Sequence, residues 1–84
     1  MRLPLIKHIV DFIDQHDEDW VEEAIQLIEH LAEAPGIKDE ELEVLGEVLS
    51  NLYGALEVDK DIKNGVSKKE ALNGFMARVV DSIN

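Results

Sequence analysis

The apolar residues of this chain recur every three to four positions from end to end, and no stretch has the sustained apolar–polar alternation of a half-buried strand. This spacing is typical of amphipathic helices. Short polar or Gly/Pro-containing stretches interrupt it at three points. The sequence therefore predicts an all-α fold, a small antiparallel bundle of four helices at about residues 4–15, 18–34, 39–63 and 68–83. Because 84 residues leave no room for a second core, residues 1–84 are expected to form a single helical domain.

The first interruption is the least distinct, because the polar stretch 14–19 contains neither Gly nor Pro. One continuous helix over residues 4–33 therefore remains open. Asp17 and Asp19 are both good N-cap residues, however, and this favours a break between helices 1 and 2. Pro4 is well placed in a first turn, where its missing N–H leaves no helical hydrogen bond unmade.

The other two interruptions carry strong boundary signals. Pro35-Gly36 ends helix 2, and Asp39 is the expected N-cap of helix 3. Asn64-Gly65 is typical of a helix C-terminus, and Ser67 with Glu70 three residues later forms a capping box that opens helix 4.

Helix 2 is predicted to bury a broad apolar arc, with Trp20 as a lid over the core. The arc consists of Trp20, Val21, Ala24, Ile25, Leu27, Ile28, Leu31 and Ala32. In helix 3 the apolar arc spans about 180°, which is more than one neighbouring helix covers. Helix 3 is therefore expected to be central or to face a second subunit. The candidate homodimer interface is Val44, Val48 and Ala55.

The opposite side of helix 3 combines acidic residues with glycine. The five residues of this strip fall within about 120° of one another on a helical wheel: Glu43, Gly46, Glu47, Gly54 and Glu57. Glycine costs about 1 kcal/mol relative to alanine in an exposed helix, so its presence twice in this strip is unusual. We interpret the strip as a candidate partner-binding face, against the alternative of an ordinary solvated surface.

Acidic residues dominate the first two-thirds of the chain. Residues 1–56 contain fourteen Asp or Glu and three Lys or Arg, whereas residues 57–84 contain five of each, so the whole net charge of −11 lies in the first part. Such a surface repels phosphate backbones and anionic lipid headgroups. We therefore expect a basic protein partner, and neither nucleic acid nor a membrane.

The sequence offers little for catalysis or metal binding. It has no cysteine, and its three histidines each precede an acidic residue by three positions: His8 and Asp11, His16 and Asp19, His30 and Glu33. Such pairs can ligate a metal, but they also form ordinary surface ion pairs. The segment from Asp59 to Glu70 matches four ligand positions of a calcium-binding EF-hand loop. At another ligand position it has Lys63, whose positive charge disfavours calcium. We expect no cofactor, no metal and no catalytic residue.

Four segments carry a resemblance that extends over essentially the whole chain. They are Leu3-Pro4-x-Ile6-Lys7-His8, Lys38-Asp39-Glu40-Glu41-Leu42, Asn51-Leu52-Tyr53-Gly54-Ala55 and Lys68-Lys69-Glu70-Ala71-Leu72-Asn73. In these segments the chain resembles a family of short, acidic, all-helical bacterial proteins of unknown function. The resemblance implies a free-standing bacterial domain and no particular activity or ligand.

Together these features predict a non-enzymatic protein-interaction or regulatory module, homodimeric, with an acidic face for a basic partner. The N-terminal residues lack the pattern of a signal peptide, so we expect a cytoplasmic protein. The alternative is a small-ligand carrier or a metal-dependent enzyme that uses the His–carboxylate pairs of helices 1 and 2.

Overall fold

The computed structural model describes residues 2–83, and the side chains of residues 2–80, as four helices joined by short connections. These are α1 (Leu3–Gln15), α2 (Glu18–Leu31), α3 (Asp39–Lys63) and α4 (Lys68–Ile83). The prediction of a small all-α bundle of four helices is confirmed. Its bounds differ at α2, which ends at Leu31 because the N–H groups of Glu33 and Ala34 reach back only three residues, to His30 and Leu31.

The helix starts follow from capping chemistry. The predicted break before α2 is confirmed: Asp17 has an extended backbone, and its carboxylate accepts a hydrogen bond from the N–H of Asp19 at 3.0 Å. The prediction that Asp39 caps α3 is wrong. Lys38 holds the N-cap position, and its N–H donates to the Glu41 carboxylate at 3.0 Å, while Asp39 lies in the first turn.

The turn between α3 and α4 also follows the sequence signals. Gly65 has a positive φ of 101°, a left-handed conformation that favours glycine after a helix end. Ser67 then accepts a hydrogen bond from the N–H of Glu70 at 3.2 Å and so begins α4.

Helix α3 is the central element and contacts each of the other three helices. Helix α2 runs antiparallel to α3, since Glu18 lies beside Lys63 and Glu29 beside Tyr53. Helix α1 runs in the same direction as α3 and begins opposite Asn51, whose side chain accepts a hydrogen bond from the Arg2 N–H at 2.9 Å. Within the described residues, α2 and α4 make no contact. The result is a flat molecule of 43 × 34 × 17 Å.

The core lies between α1 and the C-terminal half of α3, with α2 and α4 closing its sides. Its buried apolar residues are Ile6, Val10, Ile13, Val21, Ile25, Ala55, Val58, Ala71, Leu72 and Phe75. Asn51 is buried in this core and fully engaged, because its amide nitrogen also donates to the Glu47 carbonyl at 2.9 Å. A satisfied polar group of this kind fixes the start of α1 on α3.

Several residues predicted to lie in the core of helix 2 are exposed instead. Trp20 is 60% exposed and Leu27 69% exposed, and Leu31 is half exposed. Trp20 is therefore not a core lid. It lies on the surface edge-on to Phe12, with ring centroids 6.4 Å apart, because α1 covers only the part of α2 that carries Val21 and Ile25.

Candidate interaction surface

Helix α3, with 25 residues, extends well beyond the start of α1, which has 13. At 1.5 Å per residue, α1 is about 20 Å long and α3 about 37 Å. Because α1 begins opposite Asn51, the N-terminal half of α3 lies beyond the start of α1. We call residues 27–50, which comprise the end of α2, the connection and the first half of α3, the α2–α3 arm.

The α2–α3 arm exposes large aliphatic side chains. Five of them are at least 39% exposed: Leu27, Leu31, Leu42, Val44 and Val48. On α3, Val44 and Val48 continue the line of Asn51 and Ala55 at helical spacing. Asn51 and Ala55 are buried, whereas Val44 is 61% exposed. The apolar stripe of α3 therefore continues past the point where the other helices cover it.

A groove of about 600 Å³ lies between the two sides of the α2–α3 arm. Its lining is mostly apolar and includes part of the connection between the helices: Leu31, Ala34, Gly36, Ile37, Glu40, Glu41, Val44 and Leu45. The two glutamates give the groove an acidic edge. The groove thus combines an aliphatic floor with carboxylates beside it.

The region around this groove is almost purely acidic. The α2–α3 arm, residues 27–50, contains seven Asp or Glu, and Lys38 is its only Lys or Arg. Three of the five bases of the C-terminal third are engaged elsewhere: Lys63, Lys68 and Arg78 each lie within 4 Å of acidic side chains outside the arm. The electrostatic field at the groove is consequently negative.

Only some residues of the predicted acidic strip of helix 3 are exposed. Glu43, Gly46 and Glu47 border a shallow depression together with Val44 and Ser50, and a Cβ added at Gly46 would meet nothing within 4 Å. The placement of Gly54 in this strip is wrong.

Gly54 is buried, because its α-carbon faces Ile6 and Phe75: a Cβ there would lie 3.0 Å from both side chains. Here α1 and α4 approach the backbone of α3, and glycine permits that close packing. Glu57 is exposed and lies 3.7 Å from Arg78 of α4, so it belongs to the α3–α4 side of the molecule.

The residues of the predicted dimer interface also differ in exposure. Val44 and Val48 are exposed, as an interface between subunits requires. Ala55 is 0% exposed, so its assignment to that interface is wrong. The physical reason is that Ala55 lies in the half of α3 that the other helices of the same chain cover.

Lys63 joins α3 to the start of α2, at the opposite end of α3 from the arm. Its ammonium group lies 2.8 Å from Glu18 at the start of α2 and 2.9 Å from Asp59, whose side chain is 3% exposed. Its close contacts with these two carboxylates, that with Glu18 first, raise the pKa of Lys63 well above its usual value. The contact to Asp59 Oδ2 is an ion pair, and no described residue gives that buried oxygen a well-aligned hydrogen bond.

This ion-pair cluster occupies the segment that resembles an EF-hand loop. Lys63 itself supplies the positive charge beside Asp59, and Asp61 lies 3.2 Å from Arg78. Within the described residues, no three His, Asp or Glu side chains come together in a way that could hold a metal ion. The two aspartates among the candidate ligands are thus paired with basic side chains, and Ser67 caps α4 by accepting from the N–H of Glu70.

The His–carboxylate pairs are likewise engaged in structural contacts where the structure describes partners. Asp11 forms an ion pair with Lys68 of α4, and this hydrogen bond lowers the pKa of the Asp11 carboxyl. His16 stacks on Phe12, with ring centroids 4.3 Å apart.

A further polar contact joins α3 to α2. The Tyr53 hydroxyl donates to Glu29 at 2.9 Å, and this hydrogen bond raises the pKa of Tyr53.

The sequence pattern does not predict this groove. The sequence predicts that helix 2 runs to about residue 34 and buries Leu31, and that Pro35-Gly36 ends it. The available signal was that Leu31, Ile37 and Val44 are apolar on both sides of the Pro35-Gly36 turn, where two antiparallel helices must face each other.

The comparisons with known proteins give a family without an assigned activity. No curated protein matches the chain, and no solved structure does. In the described residues, no helix is long and apolar enough to cross a membrane. A model of a family of unknown function, DUF6952, matches residues 1–84, which confirms the resemblance to a family of unknown function. The chain belongs to the DUF6952 family.

Proposed function

We propose that the protein is a non-enzymatic protein-interaction module that binds its partner through the α2–α3 arm and acts by regulating that partner. The observation that carries the proposal is the apolar stripe of α3 that continues, exposed, beyond α1. Exposed apolar surfaces that are contiguous and flanked by polar residues are typical of protein interaction sites.

The exposed side chains are large enough to support association. Complete burial of a valine or leucine side chain is worth about 1.5–3 kcal/mol, and the five aliphatic residues of the α2–α3 arm are each roughly half exposed. Leu42 lies about 160° from Val44 around α3, so a partner seated at the groove would cover at most the other four, a contribution of about 3–7 kcal/mol. Part of this gain is offset by the lost freedom of the two molecules, so the arithmetic favours a reversible complex over a permanent one.

A small-molecule carrier or enzyme receives less support from the same groove. Sites for small molecules surround most of the ligand surface. Here Val44 and Leu31 line the groove while remaining 61% and 50% exposed, so a small ligand would lie against an open wall.

A photo-crosslinking amino acid tests the proposal in the native host. We expect the cross-linker at Val44 or Val48 to trap another polypeptide. The matched control is Val66, an exposed valine in the turn at the other end of α3, which should give no adduct. Equal trapping at Val66, or no adduct at Val44 and Val48, would contradict the proposal.

A further inference from the structure

We propose that the occupant of the groove in the α2–α3 arm is a basic amphipathic helix of a partner protein, which docks as a third helix against α2 and α3. This inference rests on the proposed function and specifies the chemistry of the partner. Its aliphatic face would cover the groove floor, and Lys or Arg beside that face would meet the carboxylates of the arm.

The shape of the groove fits a helix. The groove is lined by the last residue of α2, by the connection and by the first two turns of α3. An apolar groove beside a helix accepts a second helix whose side chains enter the gaps between those of the first. The aliphatic floor is formed by Leu31, Ile37, Val44 and Leu45. Gly36 and Ala34, at the closed end, carry little or no side chain, and a Cβ at Gly36 would meet nothing within 4 Å. A helix can therefore approach this end closely.

Helix α1 shows how a helix packs on α3 in this protein. It uses Ile6, Val10 and Ile13, spaced i, i+4 and i+7, to cover the C-terminal half of α3. The stripe on α3 continues through Val48 and Val44 with the same helical spacing. A partner helix with aliphatic residues at i, i+4 and i+7 would extend this packing over the uncovered half.

Charge selects among the possible occupants. Glu40 and Glu41 lie at the groove, and Glu43 and Glu47 border the adjacent depression, so four carboxylates flank the apolar floor on α3. In a two-fold symmetric dimer the same patch meets itself, which would bring these carboxylates together. Like charges placed opposite each other disfavour association, whereas Lys or Arg strengthens it and speeds encounter. The charges therefore favour a basic helix over a second copy of this chain.

Three synthetic peptides of equal length test this inference on the full chain. The first carries leucines at i, i+4, i+7 and i+11 with lysines beside them. The second replaces those lysines with glutamates, and the third has the composition of the first with its leucine positions scrambled. Binding is measured by calorimetry, and the contact site by amide chemical shifts of ¹⁵N-labelled protein.

We expect the first peptide to bind at least ten-fold more tightly than either control, with shifts concentrated at Leu31, Ile37, Val44 and Leu45. Glu40→Lys should weaken that binding about ten-fold. Glu23→Lys, an equal charge change at an exposed α2 position away from the groove, should change it less than two-fold. Equal binding of the basic and acidic peptides, equal binding of the scrambled peptide, or shifts concentrated on α4 would overturn the inference.

The outcome separates the two proposals. Adducts at Val44 together with failure of the basic peptide would overturn the basic helix and leave the interaction module standing. An adduct between two copies of this chain, with a dimer in sedimentation, would show the second copy to be the occupant. Circular dichroism of Glu40→Lys checks that the exposed substitution leaves the fold intact, so lost binding is not lost folding.

Discussion

Gly46 and Gly54 lie eight residues apart on α3, and their surroundings are opposite. A side chain at Gly46 would extend into open space, while at Gly54 it would meet the buried ends of Ile6 and Phe75. Ile6 is completely buried, so its methyl group has little room to move away. The same substitution therefore tests two different physical effects on one helix.

We expect Gly46→Ala to stabilise the protein by about 0.5–1 kcal/mol, because alanine loses less backbone entropy than glycine in an exposed helix. Gly54→Ala should destabilise it by about 1–2 kcal/mol, since overpacking of a filled core outweighs the gain in helix propensity. Urea unfolding followed by circular dichroism measures both. Equal stabilisation by the two substitutions would mean that α1 and α4 do not pack closely on Gly54.

The hydrogen bond from Tyr53 to Glu29 gives a second test, because Tyr53 is the only tyrosine of the chain. The bond to the carboxylate requires a protonated phenol, so the pKa of Tyr53 is raised above its usual value near 10. The bond thus stabilises the fold below pH 10, and this contribution is lost as the pH rises through the raised pKa. We expect Glu29→Gln to return the pKa of Tyr53 towards 10, measured by absorbance at 295 nm. An unchanged titration curve would show that the bond is not formed in solution.

For individual residues, the sequence predicted the N-caps of α2 and α4 better than it predicted which side chains are buried. The hydrogen bonds of Asp17 and Ser67 are local, so they follow from the neighbouring residues alone. The exposure of Trp20 and the burial of Gly54 depend on where α1 ends and where it lies on α3. Periodicity shows which side of a helix is apolar, but it does not show how much of that side a neighbour covers.

Among the helices, the Lys63 cluster joins the start of α2 to the end of α3. Lys63 lies between the exposed Glu18 and the buried Asp59. Removal of the ammonium group would leave a buried carboxylate without its counter-charge, which is strongly unfavourable. The cost should depend on the charge of Asp59 rather than on the aliphatic part of the lysine side chain.

We therefore expect Lys63→Met to lower the free energy of unfolding clearly, because methionine keeps the packing and removes the charge. The double variant Lys63→Met/Asp59→Asn should recover part of that loss, since a neutral amide is less costly to bury than a carboxylate. Urea unfolding at pH 7 of the wild type, both single variants and the double variant measures the coupling. Purely additive effects would contradict an ion pair at this position.

The helix bounds were predictable because each helix carries its own start and stop signals, whereas the arrangement of the helices was not. The broad apolar arc of helix 3 correctly predicted a central element. It could not reveal that α1 begins opposite Asn51 and leaves the α2–α3 arm uncovered, because that register depends on the contact between Arg2 and Asn51, residues far apart in the sequence. The groove therefore becomes visible only in the assembled structure.

The whole molecule combines a flat shape with strongly one-sided charge. Its net charge is −11, and the acidic excess lies in the first two-thirds of the chain. Three of its basic residues form close ion pairs outside the α2–α3 arm, among them Lys63 with Glu18 at 2.8 Å and Arg78 with Asp61 at 3.2 Å. Two kinds of electrostatic effect therefore act together: repulsion over long distances and attraction in a few contacts.

Salt separates these effects through the screening distance. This distance is about 30 Å at 0.01 M salt, comparable with the size of the molecule, and about 8 Å at 0.15 M. Added salt should thus remove most of the long-range repulsion while it weakens the ion pairs at contact much less. We expect the Tm to rise by a few degrees between 0.01 and 0.15 M NaCl and then to level off.

A variant with fewer acidic residues provides the control. Glu22→Gln/Glu23→Gln removes two charges from an exposed face of α2, so its Tm at low salt should be higher and its rise with salt smaller. Thermal unfolding by circular dichroism measures both proteins in parallel. A Tm that falls with salt in the wild type would mean that the ion pairs of Lys63, Lys68 and Arg78 contribute more to stability than the net repulsion removes. In that case, repulsion among the carboxylates of the α2–α3 arm would not destabilise the free protein, and a basic partner would gain no affinity by reducing that repulsion.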